Sequence, residues 1–318
     1  MFSTKKQNTM KPVPQQTLSY ELKTDFKRNK YLYLLILPVI AYYLIFHYWP
    51  YYGLQIAFKS YSPGLGFLKS PWVGFKHFTN FFNSYFFVRT MRNTLLINIY
   101  QLIFGFTTPI IFALLLNEVR NLTYKKYVQT VSYIPNFIAM VVICGMIKDF
   151  TASDGLINQI TALFGMRTIP YLSRPQYFRS IYIISDIWKD CGWSSIIYVA
   201  AISAIDPMLY QSAVIDGANR WKQMWHITLP GIRPTVTILL ILKIGHLFSL
   251  GFEKIILLYS PAIYETADVV SSYVYRKGLN ELNYSASAAV GLFNSVMNFA
   301  LLILANTVSR KVSENSLW

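Results

Sequence analysis

Long apolar runs separated by polar and aromatic stretches set the organisation of this chain. Six runs fall at about 31–49, 94–116, 127–148, 180–203, 235–258 and 285–308. Each is long enough to cross a bilayer as a helix, which takes about 20 residues. No charge occurs between Asn93 and Asn117, and the sixth run is charge-free. The fourth is interrupted by Asp186, Lys189 and Asp190, and the fifth contains Lys243. Backbone groups in lipid must be paired within the segment, so the runs predict helices rather than strands. The expected fold is an all-α integral membrane protein with six transmembrane helices.

The remaining segments divide the chain. Residues 1–30 read as a cytoplasmic N-terminal tail, 31–308 as the transmembrane domain and 309–318 as a cytoplasmic C-terminal tail. Lysine and arginine favour the cytoplasmic side. Segments 1–30, 117–126, 205–234 and 309–318 hold 15 of them in about 80 residues; segments 50–93, 149–179 and 259–284 hold 10 in about 100. The bias predicts N-in and C-in, with the second set outside. Tyr31, Tyr33, Tyr48, Trp49, Tyr51 and Tyr52 fit an interfacial aromatic belt. In 50–93, Phe78, Phe81 and Phe82 follow Trp72-Val73-Gly74-Phe75. That segment reads either as an amphipathic helix on the membrane or as a cap packed over the spans.

Composition agrees. Of 318 residues, 54% are hydrophobic and only 14% charged, and mean hydropathy is +0.35; soluble domains carry about 25% charged residues. A net charge of +15 would suggest nucleic acid in a soluble chain, but the basic residues flank apolar runs, so no nucleic-acid partner is expected. Cys144 and Cys191 lie in apolar stretches and read as packing residues, not a disulfide. No metal-ligand spacing and no nucleophile–base constellation is present, and the polar start is too long for a cleaved signal peptide.

Segment 205–234 is short, polar and patterned. Pro207 suits a helix start, Leu209 to Ile215 can form one short helix, and Gly217 permits a sharp turn. Asn219 to Ile227 can form a second helix, ended by Pro230 with Gly231 and Pro234. Such a lever can sit in a partner's cleft and transmit its movement. The run Gln211-Ser212-Ala213-Val214-Ile215-Asp216-Gly217-Ala218, closed by Ile227-Thr228-Leu229-Pro230, resembles the Glu-Ala-Ala-x-x-x-Gly pattern of ABC importer membrane subunits, with its Asp-Gly-Ala and Ile-x-Leu-Pro extensions. Gln211 and Ser212 depart from the Glu and the first Ala; Gln keeps hydrogen-bonding ability and loses the charge. Tyr51-Tyr52-Gly53-Leu54-Gln55-Ile56-Ala57-Phe58-Lys59, Pro71-Trp72-Val73-Gly74, Trp188-Lys189-x-x-Gly192-Trp193, Gly251-Phe252-Glu253, Ser309-Arg310-Lys311 and Ser316-Leu317-Trp318 look like the LplB-type branch of the MalF-like carbohydrate permeases. The resemblance runs from about residue 31 onward.

What the resemblance implies is a permease subunit of the prokaryotic inner membrane. Its expected partners are a second, homologous permease subunit, two ATPase subunits, an extracytoplasmic solute-binding protein and an oligosaccharide. ATPase coupling falls to Gln211, Ser212, Ala213, Asp216, Gly217, Ala218, Leu229 and Pro230. The chain lacks the phosphate-cradling Gly-x-x-x-x-Gly-Lys-Ser/Thr; Gly64-x-Gly66 before Lys69-Ser70 has the wrong spacing. The chain is therefore expected to be no enzyme and to hold no cofactor, with ATP and Mg bound by the ATPase partners.

Ionisable groups inside spans cost about 2.5–3.5 kcal/mol at a helix centre on insertion scales and usually face a path or a partner. Asp186, Lys189 and Asp190 share one helical face. They line or gate the path with Trp188 and Trp193, or form an ion-pair cluster or subunit contact. Lys243 and His246 share a face of the fifth span, where Lys243 can snorkel to the inner interface. Glu253 is a candidate for solute contact. Asn294 and Asn298 either bind sugar hydroxyls or join helices. Lys189 and Lys243 leave acidic oligosaccharides, such as alginate or pectin fragments, open. The rivals are the same machine with a non-sugar cargo, a gradient-driven secondary transporter, and a membrane enzyme or sensor.

Overall fold

The computed structural model describes residues 25–312; the predicted tails beyond them, with Ser316-Leu317-Trp318, lie outside the described residues. The chain divides into two units, Met1–Gln55 and Ile56–Trp318. In the first, the helix beginning at Lys30 passes through a π-helical turn at Tyr43–Tyr48, and the Asp25 carboxylate accepts from Asn29 Nδ2 and Tyr33 Oη.

The second unit is helical. Its main elements are α1 (Tyr85–Glu118), α2 (Leu122–Phe137), α3 (Met140–Leu163), α4 (Pro175–Ser203), α5 (Pro207–Ile215), α6 (Arg220–Gly245), α7 (Phe252–Leu258), α8 (Val270–Tyr275) and α9 (Tyr284–Val312). Among the described residues, four helices are long and apolar enough to cross a membrane, or up to six if the bent pairs α2–α3 and α4–α5 each count as one span.

Two predicted runs are broken. The expected helix at 127–148 bends by 99° between α2 and α3, where Pro135 opens a 3-10 turn at Ile134–Phe137; proline has no N–H to continue the ladder. The expected helix at 235–258 stops at Gly245 and resumes as α7. Asn298 of α9 pairs backbone freed at this break: its Oδ1 accepts from Phe248 N at 2.9 Å, and its Nδ2 donates to Ser249 Oγ at 2.7 Å. Here Asn298 joins elements.

Three apolar clusters hold the unit together. The largest joins Ile97 of α1, Ile143 of α3, Phe178 of α4 and Ile255 of α7 to Ile263 and Val269. A second joins Ala113, Tyr198, Ile202 and Ile232. The third packs Phe81, from the short helix Lys76–Phe82, against Tyr273, Val290 and Phe293. Phe81 is 2% exposed, so this short helix forms a cap packed against α8 and α9. Ser285 fixes the stretch before it to α9 by accepting from Tyr61 N and donating to Lys59 O.

Candidate functional site

The lever segment is built from local chain chemistry. Asp206 caps α5, accepting from Met208 N at 2.9 Å, and Pro207 occupies the first turn, where its missing N–H costs nothing. At the other end Gly217 has φ +74°. Ala218 N donates to Ala213 O at 2.8 Å and Gly217 N to Val214 O at 3.1 Å. This is the Schellman closure, which uses a left-handed residue to satisfy the last carbonyls of a helix. The spacing of Ala213, Gly217 and Ala218 is therefore a helix stop. Asn219 then caps the next helix by accepting from Lys222 N.

The second lever helix is not ended by Pro230. It continues without interruption through α6 from Arg220 to Gly245. A π-helical turn at Met224–Thr228, in which Leu229 N donates to Met224 O, precedes Pro230. The wider turn redirects the carbonyls that a proline cannot serve and lets the helix carry Pro230 and Pro234. The lever is thus one short helix, α5, bent 67° from α4 and rooted at both ends in long helices. Tyr210 Oη meets the buried Thr228 Oγ1 at 2.9 Å. Arg220 pairs loosely with Glu118 at the end of α1.

No residue of α5 is buried. Met208, Leu209, Val214 and Ile215 are all more than half exposed, as are Trp221 and Trp225 beyond the turn. Gln211, Ser212 and Asp216 are exposed on the same projection, Ala213 and Ala218 are half-buried, Leu229 is half-buried and Pro230 exposed.

The polar residues of the spans are distributed over several places. Asp186 lies between α7 and α1, and its carboxylate receives Lys254 Nζ from the first and Gln101 Nε2 from the second. Lys254 is 3% exposed; it also donates to Tyr182 O at 2.9 Å and lies 4.3 Å from the Tyr182 ring centre. The buried ionisable group of α7 is therefore Lys254, while Glu253 is exposed. Lys189 pairs with Asp190 at 2.9 Å and reaches Asn136. Trp188 borders an apolar cavity of about 350 Å³ with Ile143 and Phe150. Trp193 borders a different one, of about 600 Å³, with Phe106, Lys243 and His246. Asn294 has an unpartnered buried Oδ1 and lines a pocket beside Tyr275 and Tyr284. The structure thus brings Trp193 and Lys243 together and separates them from Asp186 and Trp188.

Gly192 explains the spacing within Trp188-Lys189-x-x-Gly192-Trp193. A side chain there would collide with the backbone of Ser132, so α2 and α4 touch backbone to backbone. Phe137 meets the Trp193 ring edge-on at 5.4 Å just beside it. Cys144 is buried and Cys191 half-buried, both free.

One cluster escaped the sequence reading. Asp268 is fully buried and receives Arg89 at 2.7 Å, Arg276 through two bonds at 2.8 and 3.0 Å, and Ser272 Oγ at 2.8 Å. Asn93 Nδ2 donates to the carbonyls of Asp268 and Glu265. Burial would lower the Arg276 pKa, but hydrogen bonds to Asp268 and its charge outweigh that and raise it. The cluster ties α1 to the 259–284 segment. The available signal is one acid in the apolar run Ala267-Asp268-Val269-Val270.

Comparison with known proteins matches residues 105–314 to the family described as "Binding-protein-dependent transport system inner membrane component". Among curated proteins, the chain is 45% identical over 292 residues to the polygalacturonan/rhamnogalacturonan transport system permease protein YteP of Bacillus subtilis (strain 168), covering 92% of this chain and 91% of that one. It is 43% identical to Protein LplB of the same organism, covering 92% of each. Among solved structures, it superposes with a TM-score of 0.86 and 44% identity on a chain of a bacterial ABC transporter involved in the import of the acidic polysaccharide alginate, covering 92% of this chain and 99% of that one. A chain of a bacterial alginate ABC transporter in complex with an alginate pentasaccharide-bound periplasmic protein gives the same TM-score at 43% identity, covering 93% and 100%.

Proposed function

Because the chain belongs to the family of inner-membrane components of binding-protein-dependent transport systems, we propose that it forms half of the translocation path of an ABC importer for oligosaccharides. The other half is a second, homologous permease subunit. ATP and Mg bind to two ATPase subunits, and an extracytoplasmic binding protein delivers the sugar to segments 50–93, 149–179 and 259–284. Six spans with both termini inside place α5 in the cytoplasm.

The observation that carries this reading is the lever helix α5, capped at both ends, unburied and studded with apolar side chains. An exposed apolar projection of this kind marks a protein interaction site. Its rigid Schellman stop and its continuity with α4 and α6 let it transmit a partner's movement. ATP favours one arrangement of the ATPase pair, and that differential affinity biases the permease between inward- and outward-facing states. The cavity between Trp193 and Lys243 supplies an aromatic face and a cation to the passing solute. Relatives that carry polygalacturonan, rhamnogalacturonan and alginate support an oligosaccharide, and among oligosaccharides an acidic one.

Co-expression with the neighbouring transport genes, purification in mild detergent and measurement of ATP hydrolysis test this function. Oligogalacturonides or alginate oligosaccharides with the binding protein should stimulate hydrolysis. Stimulation by a non-sugar solute alone would reject the cargo, and a stable preparation without any ATPase partner would reject the coupling role.

A further inference from the structure

Arg179 stands apart from the other cations that enter the packed helices. Its Nη2 donates to Asn93 Oδ1 at 2.8 Å, and its Nε is buried without any partner. No carboxylate among the described residues lies within ion-pair distance of it, whereas Arg89, Arg276, Lys189 and Lys254 each have one. A half-buried guanidinium without a counter-charge bears an uncompensated desolvation cost.

The group borders a cavity of about 460 Å³ between α1 and α4, within the about 300–1,000 Å³ of small-molecule sites. Gln176, Arg179 and Ser180 share one face of α4, at spacings of three and four residues. Tyr100 and Phe104 of α1 form the opposite wall. No side-chain hydrogen bond within the described protein engages Gln176, Ser180 or the Tyr100 hydroxyl. One wall therefore offers a cation, an amide and a hydroxyl; the other offers two aromatic rings. An acidic sugar presents the complement: a carboxylate, several hydroxyls and an apolar C–H face. Asn93, itself held by the carbonyls of Glu265 and Asp268, fixes the guanidinium in place before any ligand arrives.

We propose that the Arg179 cavity is a subsite for a uronate unit of an acidic oligosaccharide, with Arg179 binding the carboxylate. This rests on the importer reading above and names the chemistry its cargo must carry.

The test uses the complete transporter, with its partner permease, ATPases and binding protein, in liposomes. Uptake of an oligogalacturonide is compared with ATP hydrolysis stimulated by sugar-free binding protein, for wild type, Arg179→Gln and Arg179→Lys. Charge-assisted hydrogen bonds predict that Arg179→Gln lowers uptake, relative to that hydrolysis, by about ten- to a hundredfold; Arg179→Lys should keep more uptake than Arg179→Gln. Equal losses of uptake and hydrolysis, or a Lys variant no better than Gln, would make Arg179 a packing residue and overturn the subsite. Unchanged uptake with less co-purified phosphatidylglycerol would assign the cavity to a lipid headgroup instead. If wild type imports no oligosaccharide at all, the importer reading fails first and the subsite with it.

Discussion

Removing Asp186 exposes what the α4–α7 contact is worth. Its partner Lys254 has a side chain 4% exposed, and that of Asp186 is 14% exposed. Asp186→Ala leaves the ammonium with only Tyr182 O and the Tyr182 ring. Breaking one side of a buried pair costs about 3–5 kcal/mol, because the remaining charge stays desolvated. Within a fold of this size that lowers the apparent melting temperature in detergent by on the order of 10 °C. Lys254→Met should cost less, since Asp186 keeps Gln101 as a donor. The double variant Asp186→Leu with Lys254→Met should be more stable than Asp186→Ala, because both charges are gone and the volume is kept. Thermal melts of Asp186→Leu, Lys254→Met and their double variant on the purified complex close the double-mutant cycle that reads this. Additive losses, or an Asp186→Ala protein that melts like wild type, would show that the pair does not hold α7 against α4. A normal melt with collapsed uptake would move Asp186 from scaffold to path.

Two further outcomes follow from the glycines that the fold uses. Gly217→Val forces a β-branched residue into left-handed backbone at φ +74°, at a cost of about 1–2 kcal/mol or more. ATP hydrolysis per sugar imported should rise severalfold, and an unchanged ratio would exclude the lever role. Gly192→Ala drives a methyl into the Ser132 backbone; overpacking costs about 1–3 kcal/mol, so the yield of folded protein on size-exclusion chromatography should fall, whereas an Ala variant with wild-type yield and melting would show that α2 and α4 can separate cheaply.

Much of the architecture was legible in the chain. The apolar runs place the long helices because lipid leaves the backbone no other partners. Pro207, Gly217 and Asn219 mark a helix start, stop and restart because each acts through its own backbone geometry, which needs no distant residue. For the same reason the Ala213–Ala218 spacing could be recognised as a unit. The errors came where tertiary contacts override local rules. By local rules Pro230 ends a helix, but a π-turn and the packing of Ile232 against Tyr198 and Ile202 carry the helix through it. The run at 235–258 is apolar on average although it holds Lys243, His246, Glu253 and Lys254, and that average does not mark the break; Asn298, fifty residues away, makes the break tolerable by pairing its backbone.

Charges were hardest to place. A sequence shows that Asp186, Lys189 and Asp190 share a helical face, but a carboxylate takes the nearest cation in space, and for Asp186 that is Lys254. Asp268 with Arg89 and Arg276, and the unpaired Arg179 above its cavity, depend equally on helices that meet only after folding. Periodicity and caps are local, and the sequence determined them alone. Ion pairing and cavities depend on distances between segments far apart in the chain, and only the tertiary structure decided them.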